Sequence, residues 1–357
     1  MLNGRRAILS SSPSLGTLHL LPSLLRYSHI SLGERVMALY GLVRMKLADR
    51  SKKSTDLDDE SGYDWLKRHH QSDRAIRNLW EVVLLPTLND GVRDVSADMA
   101  LMVFQEGLLG RPADATIGLS RVGLSSLNGE PAHRLIEEIG GEVRLGKAVK
   151  SVAVADGLVT GLELSDGGTV RGDAYVCALP YRVLLKALPK EVAMDPFFSK
   201  AAELRSSPIV GIHLWYDRRI MDEEFVAFLD SPVQWVFNKS LIQGTERGTG
   251  QYVCISLSGA WQHIDTPKEE LREVFVREMA RLFPLAGEAA VEKFLVVKEP
   301  HATFRPAPGS AKHRPPQATP IANLFLAGEW TDTGWPSTME GAVRSGAFAA
   351  DRLAERI

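Results

Sequence analysis

The hydrophobic period of this chain changes near residue 142, and the change limits the folds open to it. Before it, the sequence reads as mostly helical over 18–110. Ser31 and Glu34 have capping-box spacing, and Val36, Leu39, Tyr40 and Val43 follow at helical intervals. Ser61 can cap a helix carrying Trp65 and Leu66. Ser72 can cap another with Ile76, Leu79, Trp80 and Val83 on one face, stopping at Pro86. Ser96 opens a further one through Met99, Met102 and Val103, and the charged stretch 48–62 reads as a solvated loop.

Beyond the change, 142–180 holds short β-type runs separated by Asp-Gly pairs at 156–157 and 166–167, which predicts an antiparallel meander. "AYVCALP" then reads as a buried strand, and 208–258 adds "PIVGIHLWYD", "FVAFLD", "VQWVFN" and "QYVCISLSG". Thr266 as N-cap with Pro267 after it predicts a helix with Leu271, Val274, Phe275 and Leu282 as its core stripe. "FLVVKEP" is another strand, and 323–357 closes the chain as strand, loop and helix. This order is not a simple βαβ alternation. It predicts a mixed α/β protein in which two domains exchange the chain. The expected segments are 1–135 (mostly helical), 136–190 (meander and strand), 191–300 (antiparallel sheet plus helix) and 301–357 (terminal strand and helix).

Composition removes several functions. The net charge of -2 leaves no excess of cations for a polyanion, so nucleic acid is not an expected partner. Cys177 and Cys254 are the two cysteines, too few for a disulfide framework in 357 residues, which points to a reducing, cytoplasmic compartment. The nine histidines fall into no metal-ligand spacing, so no metal is expected. Arg5 and Arg6 precede apolar residues, but Ser10 to Ser14 and Pro13 break that run and argue against a secretion signal. No stretch of about 18 apolar residues is present to span a bilayer.

One stretch carries the chemistry: "NLFLAGEWTDTGWPSTMEGAVRSG", residues 323–346. A β-type run ends at Gly328, where a bare backbone permits close approach. Glu329 places a carboxylate at the strand end, suited to hydroxyl donors. Ser337 and Glu340 have capping-box spacing, so a helix is expected to start near Ser337 with its N–H groups facing the loop. Such an end suits a carbonyl or an anion. Ala342, Gly346 and Ala350 would line the helix with small residues for packing on a sheet. An ordinary capped strand-loop-helix is the alternative on these residues alone.

This stretch resembles the C-terminal flavin motif of the FAD-dependent amine oxidase and phytoene desaturase superfamily. More narrowly, with "LHLLPSLLRYSHISLGER", "WLKRHHQSDRAIRNLWEVVLLPTLND", "SPVQWVFN" and "VVKEPHATFRPAPGS", it is similar to the squalene-associated desaturases, whose characterised members are hydroxysqualene dehydroxylases. The resemblance covers nearly the whole chain. It implies an α/β, amine-oxidase-like architecture of two interleaved domains, with FAD as cofactor. It implies that Gly328 and Glu329 meet the ribityl and pyrophosphate region, many members having Asp at the second position. Trp335, Ser337, Thr338 and Met339 would lie against the isoalloxazine ring, Val149 would offer its backbone to adenine, and "CALP" at 177–180 would cross near the dinucleotide.

The superfamily opens with a strand, G-x-G-x-x-G and a helix, and these 357 residues contain no such fingerprint. The expectation is a chain lacking the first βαβ unit, through truncation or because a separate chain supplies it. A sheet edge would then be unpaired, and the chain by itself is expected to bind FAD weakly or not at all. The implied activity is reductive removal of the hydroxyl of hydroxysqualene to give squalene, with an isoprenoid lipid as substrate and peripheral contact with the inner face of the cytoplasmic membrane. The alternatives are a carotenoid-type desaturase, a flavin amine oxidase, or a flavin-less remnant that binds isoprenoid or a partner. The residues do not identify a catalytic acid. His213 could face a substrate cavity, although a histidine satisfied within its strand is the simpler reading. Trp235 and Phe237 could line an apolar tunnel or pack in the core, and Asp332 could donate a proton or form a loop turn, the turn being the simpler reading.

Overall fold

The computed structural model describes residues 1–50, 55–245 and 250–356. The chain forms two compact units, one of residues 1–132 with 207–302 and the other of 133–206 with 303–357. Among the described residues no helix is long and apolar enough to cross a membrane.

The first unit begins with helices. Ser31 caps helix Leu32–Leu47 in a complete capping box with Glu34. The same Glu34 carboxylate accepts from Ser72 Oγ at 2.5 Å and from Arg74 Nε at 2.9 Å, so one side chain ties two helix starts together. The Arg74 guanidinium holds the Glu34 carboxyl down to about 2. Ser61, Ser72 and Ser96 cap as their spacing predicts, accepting from the N–H groups of Asp64, Ala75 and Met99. Trp65, Leu66, Trp80, Leu84, Leu101 and Phe104 fill the core between these helices.

Four details differ from the sequence reading. Residues 51–54 of the expected loop lie outside the described residues, and Thr55–Asp59 within it is a short helix. Helix Glu81–Leu88 runs two residues past Pro86 and ends where Asn89 turns left-handed, at φ 56°. Asn89 can hold that turn because its side chain bonds Ser207 O and Gly259 N. Thr266 is not the N-cap of helix Lys268–Leu282; Pro267 is, while the Thr266 hydroxyl donates to Gln262 O. Helix Leu32–Leu47 buries Ala38, Gly41 and Met45, so Val36, Tyr40 and Val43 of the expected stripe point outward and Leu39 is half-buried. The small residues sit inside because Gly41 lies against Gln71 and Trp80.

The rest of the first unit is a five-stranded sheet of order β6-β7-β8-β5-β9. Its strands are β5 (Ser206–Tyr216), β6 (Phe225–Ala227), β7 (Trp235–Asn238), β8 (Gln251–Ser258) and β9 (Val291–Phe304). Period-2 alternation divides their side chains between two faces. Val210, Ile212, Leu214, Val236, Val253, Ile255 and Leu257 are fully buried and pack with Leu271, Phe275 and Met279 of helix Lys268–Leu282.

The second unit holds the meander of β1 (Val149–Ala155), β2 (Leu158–Leu164) and β3 (Thr169–Val170). Asp156 and Gly157 both take positive φ, 52° and 73°, which is the turn Asp-Gly favours. A two-stranded parallel sheet joins β4 (Tyr175–Cys177) to β10 (Leu324–Leu326). Asn323 fastens meander to sheet: its side chain accepts from Val159 N at 2.8 Å and donates to Val159 O at 3.0 Å.

Candidate functional site

Two regions concentrate chemistry, one in each unit. In the second unit the chain leaves β10, turns through 327–338 and enters helix Met339–Ala354. Gly328 has φ 129°, and a Cβ there would meet Trp330 Nε1 at 2.6 Å. Its bare face is therefore filled by the chain's own indole, which donates to Leu179 O. Gly328 N donates to Ser345 Oγ at 2.7 Å, and its carbonyl accepts from Thr331. The glycine is required for the loop to close upon itself, a reason the sequence did not reveal.

Arg314 sets the shape of this loop. Its buried guanidinium donates to Glu329 O at 3.0 Å, Thr331 O at 2.6 Å and Thr333 Oγ1 at 3.1 Å. Gln317 Nε2 adds bonds to Thr331 Oγ1 and Asp332 O. Loop carbonyls that would otherwise be unpaired are thereby satisfied from one side. Arg314 carries no local signal, because "KHRPP" has neither strand nor helix period. Asp332 is exposed within the turn.

Thr338, not Ser337, is the N-cap of the terminal helix and accepts from Gly341 N at 3.1 Å. Glu340 pairs with Arg344 instead of closing a box. The buried small residues are Gly341, Ser345 and Ala349 in place of Ala342, Gly346 and Ala350. Gly341 is needed because a Cβ would lie 2.6 Å from Pro336 O. The half-buried Trp335 ring lies under the Arg344 guanidinium at 4.0 Å, and Met339 is exposed. The Glu329 carboxylate and the Ser337 hydroxyl are half-buried and have no hydrogen-bond or ion-pair partner among the described residues. A carboxylate, a hydroxyl and the start of a 16-residue helix thus converge in sequence without internal partners for their side chains. Val149 lies apart from them in sequence, half-buried at the irregular start of β1 opposite Leu164.

In the first unit the second face of the five-stranded sheet is aromatic and half-buried. Phe225, Phe237, Cys254 and His213 form one row across four strands, each directly opposite the next. Trp215 is opposite Tyr252, with ring centroids 4.4 Å apart and planes 4° from parallel. Trp235 stacks beside Phe237 at 6.2 Å. His213 Nδ1 lies 2.7 Å from Tyr252 Oη. Burial, with the nearby Lys239 ammonium, holds the His213 imidazole below its ordinary range, and burial pushes the Tyr252 phenol up to about 12. Both groups are neutral near pH 7. The structure thus brings His213, Trp235 and Phe237 onto one face and adds Trp215 and Tyr252. Strict alternation in "IHLWY" already places His213 and Trp215 together; the pairing with Tyr252 needed the β5–β8 register.

Residues 7–354 match the family described as flavin containing amine oxidoreductase. The 15-cis-phytoene desaturase of Solanum lycopersicum is 27% identical over 338 residues, 90% of this chain and 56% of that protein. The hydroxysqualene dehydroxylase of Sinorhizobium fredii is 30% identical over 277 residues, 77% of this chain and 61% of that protein. The chain therefore spans somewhat over half the length of these relatives. A crystal structure of an oxidoreductase from Methanosarcina mazei superposes with a TM-score of 0.65 at 15% identity, covering 90% of this chain and 73% of that one. The fold is that of FAD-dependent amine oxidases, and the chain belongs to the flavin containing amine oxidoreductase family. FAD is the cofactor that this membership assigns.

Proposed function

We propose that this chain carries the substrate face and the C-terminal flavin segment of an oxidoreductase that reductively removes the hydroxyl of hydroxysqualene to give squalene. The observation that supports it most is the aromatic sheet face with one hydrogen-bonding pair, His213–Tyr252. An extended isoprenoid is apolar along its length, and aromatic rings cover such a chain at low entropic cost. The similarity to a hydroxysqualene dehydroxylase agrees with this reading.

The residues at the terminal loop suit a flavin. The helix start at Met339 offers a positive dipole end to a ring carbonyl, and Glu329 can accept from ribityl hydroxyls. When bound and reduced, FAD supplies a hydride. Trp335 and Thr338 set the edge of that segment, and Arg314 keeps its carbonyls turned inward. On the sheet face, Phe237, Trp235 and Trp215 would cover the apolar skeleton and present π-faces to the delocalised cation left when an allylic hydroxyl takes up a solvent-derived proton and departs as water. Val36, Tyr40 and Val43, with Leu32 and Leu47 on the outward side of their helix and Arg44 and Lys46 in its last turn, suit contact with an anionic bilayer surface, where such a substrate resides.

A phytoene-desaturase-type reaction is the second reading, favoured by the similarity to the tomato enzyme over 90% of the chain. The test is an assay of this chain carrying a relative's strand-GxGxxG-helix segment at its N-terminus, with FAD and a reductant or an oxidant, on hydroxysqualene, phytoene and a panel of amines. Squalene formation under reducing conditions is expected. Desaturation of phytoene, or turnover of amines alone, would overturn the reading.

A further inference from the structure

The aromatic face of the five-stranded sheet is not uniformly apolar. Its rows carry Phe225, Phe237, Trp235, Trp215 and Tyr252, and into them is set one imidazole. His213 Nδ1 is engaged by Tyr252 Oη at 2.7 Å, whereas Nε2 has no hydrogen-bond partner among the described residues. The backbone makes room for that nitrogen. Gly211 stands two residues before His213 on the same face, and a Cβ there would lie 3.3 Å from His213 Nε2. A glycine in the middle of a strand costs stability, and here it leaves the imidazole edge uncovered.

The pair has a defined hydrogen-bonding capacity. In one tautomer Tyr252 donates to Nδ1, leaving Nε2–H as a donor and the phenol oxygen as an acceptor. In the other, Nδ1–H donates to the phenol, leaving Nε2 as an acceptor and the phenolic O–H as a donor. Either arrangement offers one donor and one acceptor, and an alcohol needs one of each. A hydrocarbon laid over the same surface would strip water from these atoms and return no bond, which is the costly case for a half-buried polar group.

We infer that the His213–Tyr252 pair, framed by Trp215, Cys254 and the bare Gly211, is the hydroxyl-recognition point of this face and selects an isoprenoid alcohol over the hydrocarbon of the same skeleton. The inference rests on the isoprenoid reading given above and adds which residues read the oxygen. Tyr252 is held by the parallel stack with Trp215, so its oxygen keeps a fixed place relative to the imidazole. Sites built to bond a substrate hydroxyl reject the analogue lacking it far more strongly than apolar pockets reject an added group.

The test is a titration of the full chain with farnesol and with farnesene, read by quenching of tryptophan fluorescence, for the wild type, Tyr252→Phe and His213→Leu. Circular dichroism checks that the variants fold, and His213→Gln, which keeps a donor and an acceptor, serves as the rescue. The wild type is expected to bind farnesol at least about tenfold more tightly than farnesene. Tyr252→Phe and His213→Leu should bring the two affinities within about threefold, mainly by weakening farnesol, while His213→Gln keeps part of the preference. Equal binding of both probes by the wild type, or a preference that survives both substitutions, would overturn the inference and leave the isoprenoid reading standing. Binding of neither probe would overturn the isoprenoid reading itself.

Discussion

Alternate residues of the same strands give the five-stranded sheet two unlike faces. One presents Val210, Ile212, Leu214, Val253, Ile255 and Leu257, none with any exposed surface, to a helix of the same unit. The other presents His213, Trp215, Tyr252, Cys254, Trp235 and Phe237, all half-buried. The first is aliphatic and closely packed, as a face selected for stability should be. The second stacks rings, carries the polar pair, and gives up a side chain at Gly211. One run of sequence can thus hold a packed core and an open, ring-lined surface in register, since a strand's period of two keeps them apart.

The largest expected effect separates the faces by stability. Ile255→Ala should cost about 2–5 kcal/mol in urea unfolding, because the closed face cannot collapse into the space left. Phe237→Ala, one strand away on the other face, should cost no more than about 1–2 kcal/mol. Equal losses would mean that both faces are core.

A thiol probe sharpens the contrast. Burial pushes the Cys254 thiol up to about 11. Its alkylation by iodoacetamide at pH 8 should run about a hundredfold slower than that of an unstructured cysteine, since the thiolate fraction falls by that factor. A rate near the unstructured value would show the open face to be wet.

Gly211→Ala comes next. The added methyl would sit 3.3 Å from His213 Nε2, so the ring must shift. Farnesol affinity should fall a few-fold while the urea midpoint changes little. An unchanged affinity would detach Gly211 from the polar pair.

The smallest effect is on pH dependence. His213 is held below the ordinary histidine range by burial first and by Lys239 second. The unfolded chain therefore binds this proton more readily than the folded one, and stability falls as pH drops below about 6.5, levelling off below the folded value. His213→Gln should flatten that part of the stability curve relative to the wild type, as followed by thermal unfolding between pH 7.5 and 5.

Local rules were legible wherever a single segment decides. The serine caps at 31, 61, 72 and 96 and the Asp-Gly turn at 156–157 depend on a few neighbouring residues and follow their spacing. The errors fall where a tertiary contact overrides the local signal. The stripe of Val36, Tyr40 and Val43 is helical in period yet faces outward, since Gly41 packs closely against Gln71 and Trp80 and the face of Ala38, Gly41 and Met45 is the buried one. At 323–346 the strand, loop and helix stand where the sequence places them. The cap moved to Thr338 because Gly341 approaches Pro336, and Glu340 found Arg344. Arg314 was invisible because its three acceptors are backbone or loop atoms 15 to 19 residues onward. Tyr252 was invisible because only strand register puts it beside His213.

The claim that one face is a recognition surface is tested most directly by hydroxyl-radical footprinting of the chain with and without farnesol, read residue by residue by mass spectrometry. Trp215, Trp235 and Tyr252 should lose reactivity together as farnesol saturates, while Trp261, which is 48% exposed and outside that face, stays constant. Protection that appears at Trp261 and not at Trp215, Trp235 and Tyr252 would contradict the account.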